Sequence, residues 1–351
     1  MATLSSASAQ AIARMRAYIP PPTPYYSLPL SRRAAVLILL FADKRGDLRV
    51  VLTIRSKHLN SYAGEAAFPG GKADSTSETA FQIARREAYE EIGLPLLDTE
   101  LPWPYTIEHL CQMPTNLART ELGVRPCIAF LSASRLSKDT SRRIPTAEEA
   151  LIPHLDPKEV AAVFTASFHN FLRATEEHVA APAGSAPGAE AAGFPAEWYR
   201  GEWTGWHESQ WRMHNFFVPR AGQSVAWARQ LEEASTEAAK DLGTSTKDQP
   251  KPTRTMPTSS TLRQTDPKND PTYPVRIKDA PPDRFRVFGM TARICVDAAR
   301  LAYGEEPEFE HNSHFGDEDM IQRLMKIGRL GPIRKKGDQI TQEVMIAASK
   351  I

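Results

Sequence analysis

The sequence has few cysteines, almost no net charge and no long apolar run. Its 351 residues contain only three cysteines, Cys111, Cys127 and Cys295, too few and too scattered for a disulfide framework or a zinc site. We therefore expect reduced, buried thiols in an intracellular protein. The formal net charge of +1 creates no global field that would favour nucleic acid or a membrane surface. No apolar run approaches the ~20 residues of a membrane span, and the run at residues 34–41 has the length of a buried strand.

Three glutamates share one face of a predicted helix. The segment from Arg86 to Leu94 reads Arg-Glu-Ala-Tyr-Glu-Glu-Ile-Gly-Leu and places Glu87, Glu90 and Glu91 at positions i, i+3 and i+4. Crowded carboxylates repel one another, and a divalent cation would offset that repulsion, because hard cations such as Mg²⁺ take oxygen ligands. For three glutamates alone, a solvated acidic face is the commoner explanation.

A glycine loop lies directly before this helix. Residues 68–71 read Phe-Pro-Gly-Gly, and Lys-Ala-Asp at residues 72–74 and then Glu78 follow. Paired glycines let the backbone turn tightly and approach a ligand closely. The Ser-Thr-Ser run at residues 75–77 offers N-cap candidates, and Gly93 stands where a helix C′ glycine belongs. The predicted order is a strand, a glycine loop, a helix with an acidic face and a glycine stop.

This segment resembles the Nudix box, which is a glycine, a glutamate, and then Arg-Glu-hydrophobic-x-Glu-Glu-x-Gly-hydrophobic. The matching residues are Glu78, Arg86, Glu87, Ala88, Glu90, Glu91, Gly93 and Leu94. The gap from Gly71 to Glu78 is one residue longer than in the general pattern. The resemblance implies an α/β fold, the Nudix-type α/β/α sandwich with a mixed β-sheet, and cleavage of a nucleoside diphosphate linked to another group.

A second motif narrows the resemblance. Residues 52–59 read Leu-Thr-Ile-Arg-Ser-Lys-His-Leu and lead into Gly-Glu-Ala-Ala-Phe-Pro-Gly-Gly at residues 64–71. Both runs are similar to motifs of coenzyme A diphosphatases, Leu-Thr-x-Arg-Ser-x-x-Leu and Gly-Glu-Val-x-Phe-Pro-Gly-Gly-x-x-Asp, with Asp74 at the aspartate position. Phe-Gly-Met-Thr-Ala at residues 288–292 resembles the Trp-Gly-x-Thr-Ala that closes that domain.

The resemblance implies a metal-binding and catalytic group on the helix. Glu87, Glu90 and Glu91 would bind Mg²⁺ or Mn²⁺, with the backbone carbonyl of Gly71 as a further ligand. The cation would act as Lewis acid and template and would lower the pKa of bound water. Arg86 would orient the glutamates rather than bind phosphate. The general base stays unassigned among Glu87, Glu90 and others.

Other residues are candidates for substrate binding or support. The resemblance implies that Arg55, Ser56 and Gly70 contact the substrate. Arg55 is the best suited of them to phosphate, because a guanidinium binds phosphate bidentately and coenzyme A carries a 3′-phosphate and a diphosphate. An ion pair at the strand end is the alternative for Arg55. Structural or supporting roles are expected for Glu78 and Asp74, a surface or ion-pair role for Glu159, and a solvated position for Arg85.

Composition divides the chain into three parts. We expect an N-terminal helix and proline-rich approach at residues 1–30, one Nudix-type domain at residues 31–305, and a charged tail at residues 306–351. Insertions at about 180–200 and 230–282 are expected to be mostly disordered, because segments this polar bury too little surface to offset their ordering entropy. Predicted strands lie at 34–41, 48–54, 105–111 and 124–131, and the acidic helix lies at 78–92.

Three functions are compatible with these motifs. Metal-dependent hydrolysis of coenzyme A and its derivatives to 3′,5′-ADP and 4′-phosphopantetheine species is favoured by the motif at residues 52–59. The alternative is a Nudix hydrolase of other nucleoside diphosphate derivatives or of damaged nucleoside triphosphates. A non-catalytic nucleotide-binding Nudix module fits less well, because such modules lose box glutamates and this chain keeps all three. The expected partner is a small-molecule substrate, with neither nucleic acid nor a membrane span.

Both ends of the sequence contain segments that resemble targeting signals. Ser349-Lys350-Ile351 is close to the peroxisomal Ser-Lys-Leu signal, so we expect a peroxisomal location reached through an import receptor. The first twenty residues contain Arg14 and Arg16 and also suit a mitochondrial presequence. Prolines from residue 20 onward end any helix early, so a short N-terminal helix is preferred. A mitochondrial or cytoplasmic location is the alternative.

Overall fold

The computed structural model describes residues 4–59, 63–133, 146–147, 154–177, 197–206, 209–228, 283–333 and 340–350. Nearly all of the insertion expected at about 180–200, and the whole of that expected at 230–282, lie outside the described residues. The helices are α1 Ser6–Ala17, α2 Ala80–Ile92, α3 Gly289–Tyr303, α4 Glu318–Lys326 and α5 Gln342–Ser349. Short 3₁₀ turns lie at Tyr25–Ser27, Leu30–Arg32 and His169–Leu172.

The strands follow the predicted positions within a residue or two where a prediction was made. They are β1 Arg33–Ala42, β2 Leu48–Arg55, β3 Ala66–Ala67, β4 Gly70–Lys72, β5 Thr106–Gln112, β6 Asn116–Leu117, β7 Gly123–Ser132, β8 Val160–Ser167, β9 Tyr199–Trp206, β10 Ser209–Pro219, β11 Val225–Trp227 and β12 Arg284–Phe288.

Nine of these strands form one mixed sheet, as predicted. Its order is β11-β8-β2-β1-β7-β5, with β3 beside β2, β4 beside β1, and β6 beside β7. The pair β1 and β7 is parallel, and β1 pairs antiparallel with both β2 and β4. Leu40 lies opposite Val50 of β2, whereas Val36 lies opposite Gly70 of β4. The glycine loop is therefore fixed to the central strand of the sheet.

Helices cover both faces of this sheet, which gives the predicted three layers. Side chains alternate along β1 because successive residues of a strand point to opposite faces. Ile38 and Leu40 belong to a core that they share with α1 and α3. Leu37 and Leu39 belong to a second core that they share with α2, α4 and α5. Burial on both faces explains why β1 is apolar at almost every position.

A smaller sheet, β12-β10-β9, packs onto the first core. Phe216, Phe285 and Val287 are buried there, and the ring of Phe285 stacks on Phe164 of the main sheet with centroids 4.3 Å apart. Thr291 Oγ1, at the start of α3, donates to the backbone oxygen of Ala66 in β3 at 3.2 Å. These contacts join the strands that follow the expected insertions to the core of the main sheet.

The C-terminal segment is more than the charged tail expected at residues 306–351. Ile321 and Leu324 of α4 are fully buried, and Met345 and Ala348 of α5 are nearly so. The sequence conceals α4 because its few apolar residues lie among charged ones, and it conceals α5 because that helix is only 8 residues long. Within the described part of the chain, no helix has the length and apolar character needed to cross a membrane.

Candidate active site

The acidic helix begins two residues later than expected. Thr79, not the run at residues 75–77, is the N-cap of α2. Thr79 Oγ1 accepts from the backbone N–H of Gln82 at 3.2 Å, and Gln82 Oε1 accepts from the backbone N–H of Thr79 at 2.9 Å. This reciprocal pair is a capping box, which satisfies two amides at once where a lone serine would satisfy one. Gly93 ends the helix in the left-handed conformation, with φ +69°.

Two glycines bring β4 directly against the acidic face of α2. The backbone N–H of Gly70 donates to Glu91 Oε2 at 3.0 Å. A Cβ at Gly71 would lie 2.4 Å from the carboxyl carbon of Glu87, and one at Gly70 would lie 2.4 Å from the backbone oxygen of Ala35. Side chains at these positions would collide with the sheet or the helix, so both require glycine for close approach. The amide of Gly70 thus has a partner in Glu91, and the expected contact of Gly70 with substrate stays a prediction.

Arg86 connects the glycine loop to the helix. Its Nε donates to Glu78 Oε1 at 2.9 Å, and its Nη2 donates to the backbone oxygen of Lys72 at 2.7 Å. Its Nη1 lies 2.9 Å from Glu87 Oε1 and 3.3 Å from Glu90 Oε2. Burial works to lower the pKa of Arg86, but the hydrogen bonds to Glu78 and Glu87 outweigh it and raise that pKa. Arg86 is thus a permanent cation between the carboxylates, with no phosphate needed to balance it.

Glu78 holds the loop between β4 and α2. Its Oε2 accepts from the backbone N–H groups of Asp74 at 2.8 Å and Ser75 at 3.2 Å. Burial works to raise the pKa of Glu78, and the bonds from Arg86 and these two amides lower it overall. The carboxylate of Asp74 is exposed and lies 3.5 Å from Arg86 Nη1. The longer loop is therefore closed onto Arg86 by backbone and side-chain contacts together.

Two carboxyl groups of the site sit where negative charge is unfavourable. Burial raises the pKa of Glu91 to about 8; the charge of Glu87 also raises it, while the Gly70 amide and Arg55 oppose the shift. Glu91 is 5% exposed. Burial also raises the pKa of Glu87, against the opposing hydrogen bond from Arg86. A cation beside this pair would lower both pKa values, because an opposite charge favours the charged state of a carboxyl group.

The segment before β8 joins the ends of α2 and β2. The backbone N–H of Asp156 donates to the backbone oxygen of Glu91 at 3.1 Å, and that of Ser56 donates to the backbone oxygen of Glu159 at 2.7 Å. Ser56 is 2% exposed, and its hydroxyl donates to the backbone oxygen of Pro157 at 3.0 Å. Ser56, expected to bind substrate, therefore holds this segment in place. The exposed Glu159, expected at an ordinary surface, contributes to the raised pKa of Glu91.

Arg55 lies at the end of β2, between the acidic face of α2 and the chain that leads to the glycine loop. Its backbone N–H donates to the backbone oxygen of Glu65 at 2.9 Å. Its guanidinium charge acts on the carboxyl groups of both Glu91 and Glu65. Its Nε is buried and has no hydrogen-bond partner among the residues that the structure describes. A buried guanidinium N–H without a partner is costly, so an anion received here would satisfy it.

Arg85, the neighbour of Arg86, makes its contacts with the chain that leaves the helix. It is 7% exposed, not solvated as expected, and its Nη2 donates to the backbone oxygens of Pro95 and Leu96. A guanidinium with several donors can satisfy carbonyls beyond a helix end, which sequence position alone does not reveal. Two adjacent arginines therefore do different work, one in the site and one in the chain that leaves it.

The predicted ligands are of the kind that Mg²⁺ or Mn²⁺ prefers, although the described carboxylates do not converge on one common position. Carboxylate oxygens are the ligands that hard cations prefer, and burial raises the pKa values of Glu87 and Glu91 despite the opposing charges of Arg86 and Arg55. Across the described residues, no three acidic, histidine or cysteine side chains are placed to hold an ion. Glu90, 52% exposed, contacts Arg86. The metal-binding roles of Glu87, Glu90, Glu91 and Gly71 stay predictions.

The sequence did not predict that Arg286 lies near this site. Burial raises the pKa of the Glu65 carboxyl group, and the charges of Arg286 and Arg55 oppose that shift. Arg286 stands in β12, in the second sheet, so only the folded structure brings it to residues of the glycine-loop motif. The available signal was its position two residues before the Phe-Gly-Met-Thr-Ala run, which begins at Phe288.

Comparison with known proteins gives concordant matches. Residues 31–182 match the family model of the NUDIX domain. Peroxisomal coenzyme A diphosphatase 1 of Saccharomyces cerevisiae is 40% identical over 149 residues, which are 41% of this chain and 44% of that protein. Nudix hydrolase 15, mitochondrial, of Arabidopsis thaliana is 38% identical over 142 residues, which are 40% of this chain and 42% of that protein. The chain thus matches less than half the length of these two relatives.

Solved structures give a more distant likeness. A binary complex of the C. elegans Ap4A hydrolase is 18% identical, with a TM-score of 0.27, and the match covers 39% of this chain and 81% of that one. At this distance the likeness has no bearing on substrate.

Proposed function

We propose that the Nudix domain carried by this chain hydrolyses the diphosphate bond of coenzyme A and its derivatives, with Mg²⁺ or Mn²⁺, to 3′,5′-ADP and 4′-phosphopantetheine species. The observation that carries this proposal is the position of Arg55. It comes from the coenzyme A diphosphatase-like motif, its Nε lacks a partner among the described residues, and its charge reaches Glu91 of the Nudix-like box. The resemblance in sequence and the 40% identity to a coenzyme A diphosphatase support the same substrate.

A divalent cation, when bound by the predicted carboxylates, would neutralise the diphosphate and lower the pKa of the attacking water. The protein's own groups supply the positioning. The Gly70 amide fixes the Glu91 carboxyl group, and Arg86 fixes Glu87 from the other side. Since the rate of phosphoryl transfer depends mainly on positioning and charge, this rigid junction is suited to the reaction.

Arg55 would bind a phosphate oxygen of the substrate. Its backbone N–H already donates to the backbone oxygen of Glu65 at 2.9 Å, so little ordering entropy would be lost on binding. Burial of the Nε removes competing water and strengthens a charge-assisted hydrogen bond. In this arrangement the carboxylates mainly determine kcat, and Arg55 mainly determines KM.

Product analysis tests the function directly. The purified chain is incubated with coenzyme A and Mg²⁺, and products are separated by chromatography and identified by mass. We expect equimolar 3′,5′-ADP and 4′-phosphopantetheine, and no reaction after chelation of the metal. A damaged nucleoside triphosphate such as 8-oxo-dGTP serves as the competing substrate. Faster cleavage of that triphosphate, with coenzyme A left intact, would replace this proposal by the sanitising alternative.

We further propose a peroxisomal location. The support is the peroxisomal name of one relative and the Ser-Lys-Ile sequence at residues 349–351; another relative is named mitochondrial. An import receptor reading that tripeptide would act without membrane insertion. Imaging an N-terminally tagged form with and without the last three residues is the test, with loss of peroxisomal signal expected on removal. An untagged form traced to mitochondria by antibody would contradict the proposal.

A further inference from the structure

A half-buried carboxylate lies under the influence of two arginines that are far apart in sequence. Glu65 lies beside Arg55 in the backbone pairing. The backbone N–H of Arg55 donates to the backbone oxygen of Glu65 at 2.9 Å, and the backbone N–H of Gly64 donates to the backbone oxygen of Arg55 at 3.0 Å. Arg286 and Arg55 both act on the Glu65 carboxyl group, Arg286 more strongly. The three side chains together carry one net positive charge when Glu65 is ionised.

Arg286 is held in place by its own sheet. Its Nε and Nη2 donate to Asn215 Oδ1 at 2.9 and 2.7 Å, and its guanidinium lies 4.2 Å from the ring centroid of Phe288. The bond from Thr291 to the oxygen of Ala66 fixes this end of the sheet beside Glu65. The cation is therefore preorganised, which lowers the entropy cost of binding an anion.

The two arginines belong to different sheets. Arg55 ends β2 of the main sheet, and its charge acts on the carboxyl groups of both Glu65 and Glu91. Arg286 lies in β12 of the smaller sheet, and its charge acts on the carboxyl group of Glu65. With the cleaved diphosphate at the carboxylates of α2, a second anionic group of the substrate would be the one to meet Arg286.

We propose that Arg286, together with Arg55 and Glu65, forms a subsite for the phosphate monoester that the substrate keeps, which for coenzyme A is the 3′-phosphate on the ribose. This inference rests on the proposed function and specifies how that function selects its substrate. Arg286 donates to the phosphate, and Glu65 keeps the two guanidinium groups oriented without cancelling both charges. Selectivity for the phosphorylated ribose then depends on β12, which lies outside the Nudix-like box and the glycine loop before it.

The test compares Arg286→Gln with Arg284→Gln. Glutamine at 286 keeps an N–H that can donate to Asn215 but removes the charge. Arg284 is the matched control, since it lies two residues away on the same strand and its Nη1 donates to the backbone oxygen of Phe217 instead. For Arg286→Gln we expect KM for coenzyme A to rise about tenfold, the usual effect of losing a hydrogen bond to a charged group. KM for dephospho-coenzyme A and both kcat values should stay within about twofold, as should every parameter of Arg284→Gln.

Equal losses on both substrates, or identical behaviour of the two variants, would overturn the subsite. Calorimetric binding of 3′,5′-ADP against AMP gives a second measurement that needs no turnover. The wild type should prefer 3′,5′-ADP, and Arg286→Gln should lose that preference. If coenzyme A is not cleaved, the proposed function fails, and the calorimetric comparison alone decides for or against the subsite. If Arg286→Gln proves unstable by thermal melting, Arg286→Lys, which keeps the charge, replaces it and should retain part of the preference.

Discussion

Two regions of this molecule are assembled in opposite ways. The junction of β4 and α2 comes from one short run of sequence, and its contacts join residues that are close along the chain, such as Gly70 with Glu91. The arginine-lined region is assembled from distant strands, with Arg55 in β2 and Arg286 in β12. In the proposed function the first region holds the predicted catalytic groups, and the second holds the predicted substrate-binding groups. The catalytic groups and Arg55 come from contiguous motifs, whereas the proposed role of Arg286 is seen only in the fold.

The largest effect is expected at the junction. Replacing Glu91 by glutamine should lower kcat at saturating Mg²⁺ by at least ~10²-fold, because the change removes a negative charge that the transition state needs. The protein should remain folded by circular dichroism, since glutamine keeps an oxygen for the Gly70 amide. The exposed Glu100→Gln is the control and should turn over normally. Near-normal turnover of Glu91→Gln would show that the junction is not catalytic.

A glycine change tests whether close approach at the junction matters. In Gly71→Ala the added Cβ would overlap the Glu87 carboxyl group, at 2.4 Å from its carbon. We expect Glu87 to shift and kcat to fall by roughly tenfold or more, as when a catalytic group is misplaced by an ångström. Gly205→Ala is the control, because a Cβ there meets nothing within 4 Å. Activity of Gly71→Ala equal to that of Gly205→Ala would contradict the placement of Glu87.

In the recognition region we expect a smaller effect of a different kind. Arg55→Ala should raise KM for coenzyme A about tenfold and raise that for dephospho-coenzyme A less, because a guanidinium contact to one phosphate is lost. Steady-state kinetics with both substrates measures this, and the exposed Arg45→Ala provides the baseline. A fall in kcat with KM unchanged would mean that Arg55 acts in catalysis, as the carboxylates are predicted to do. The two regions would then not differ in function.

The smallest effect is expected from removing the long segment that precedes β12. Replacing about residues 232–280 by a flexible linker should leave melting temperature and hydrolysis close to those of the full chain, because loop-closure entropy changes only slowly with length. The low content of large apolar residues in that segment points the same way. A soluble but inactive product would mean that this segment contributes to one of the regions.

The sequence predicted the junction well because its contacts are local. Helical spacing alone places Glu87, Glu90 and Glu91 on one face, and paired glycines predict the close approach at Gly70 and Gly71. Strand positions followed from apolar runs that are buried on both faces. The cap at Thr79 was missed, because several polar residues precede the helix and only the reciprocal bond with Gln82 selects one.

The remainder depended on contacts that the sequence pattern does not reveal. The motif did not reveal that the Ser56 hydroxyl donates to the backbone oxygen of Pro157, before β8, and its role in substrate binding stays a prediction. Arg85 looked solvated beside Arg86 and is buried. Arg286 had no pattern of its own that tied it to Glu65. In each case the partner is a backbone or side-chain group whose position depends on tertiary packing, which periodicity does not predict.

Electron paramagnetic resonance of Mn²⁺ tests most directly whether the junction is a metal centre. Free Mn²⁺ is titrated against the wild type, Glu91→Gln, Glu100→Gln and Arg286→Gln at neutral pH without substrate. We predict that the wild type, Glu100→Gln and Arg286→Gln remove Mn²⁺ from solution with similar affinity, and that Glu91→Gln loses at least ~10-fold in affinity, as expected when a charged ligand is removed. Equal Mn²⁺ affinity of Glu91→Gln and the wild type would contradict the assignment of the cation to the acidic face of α2.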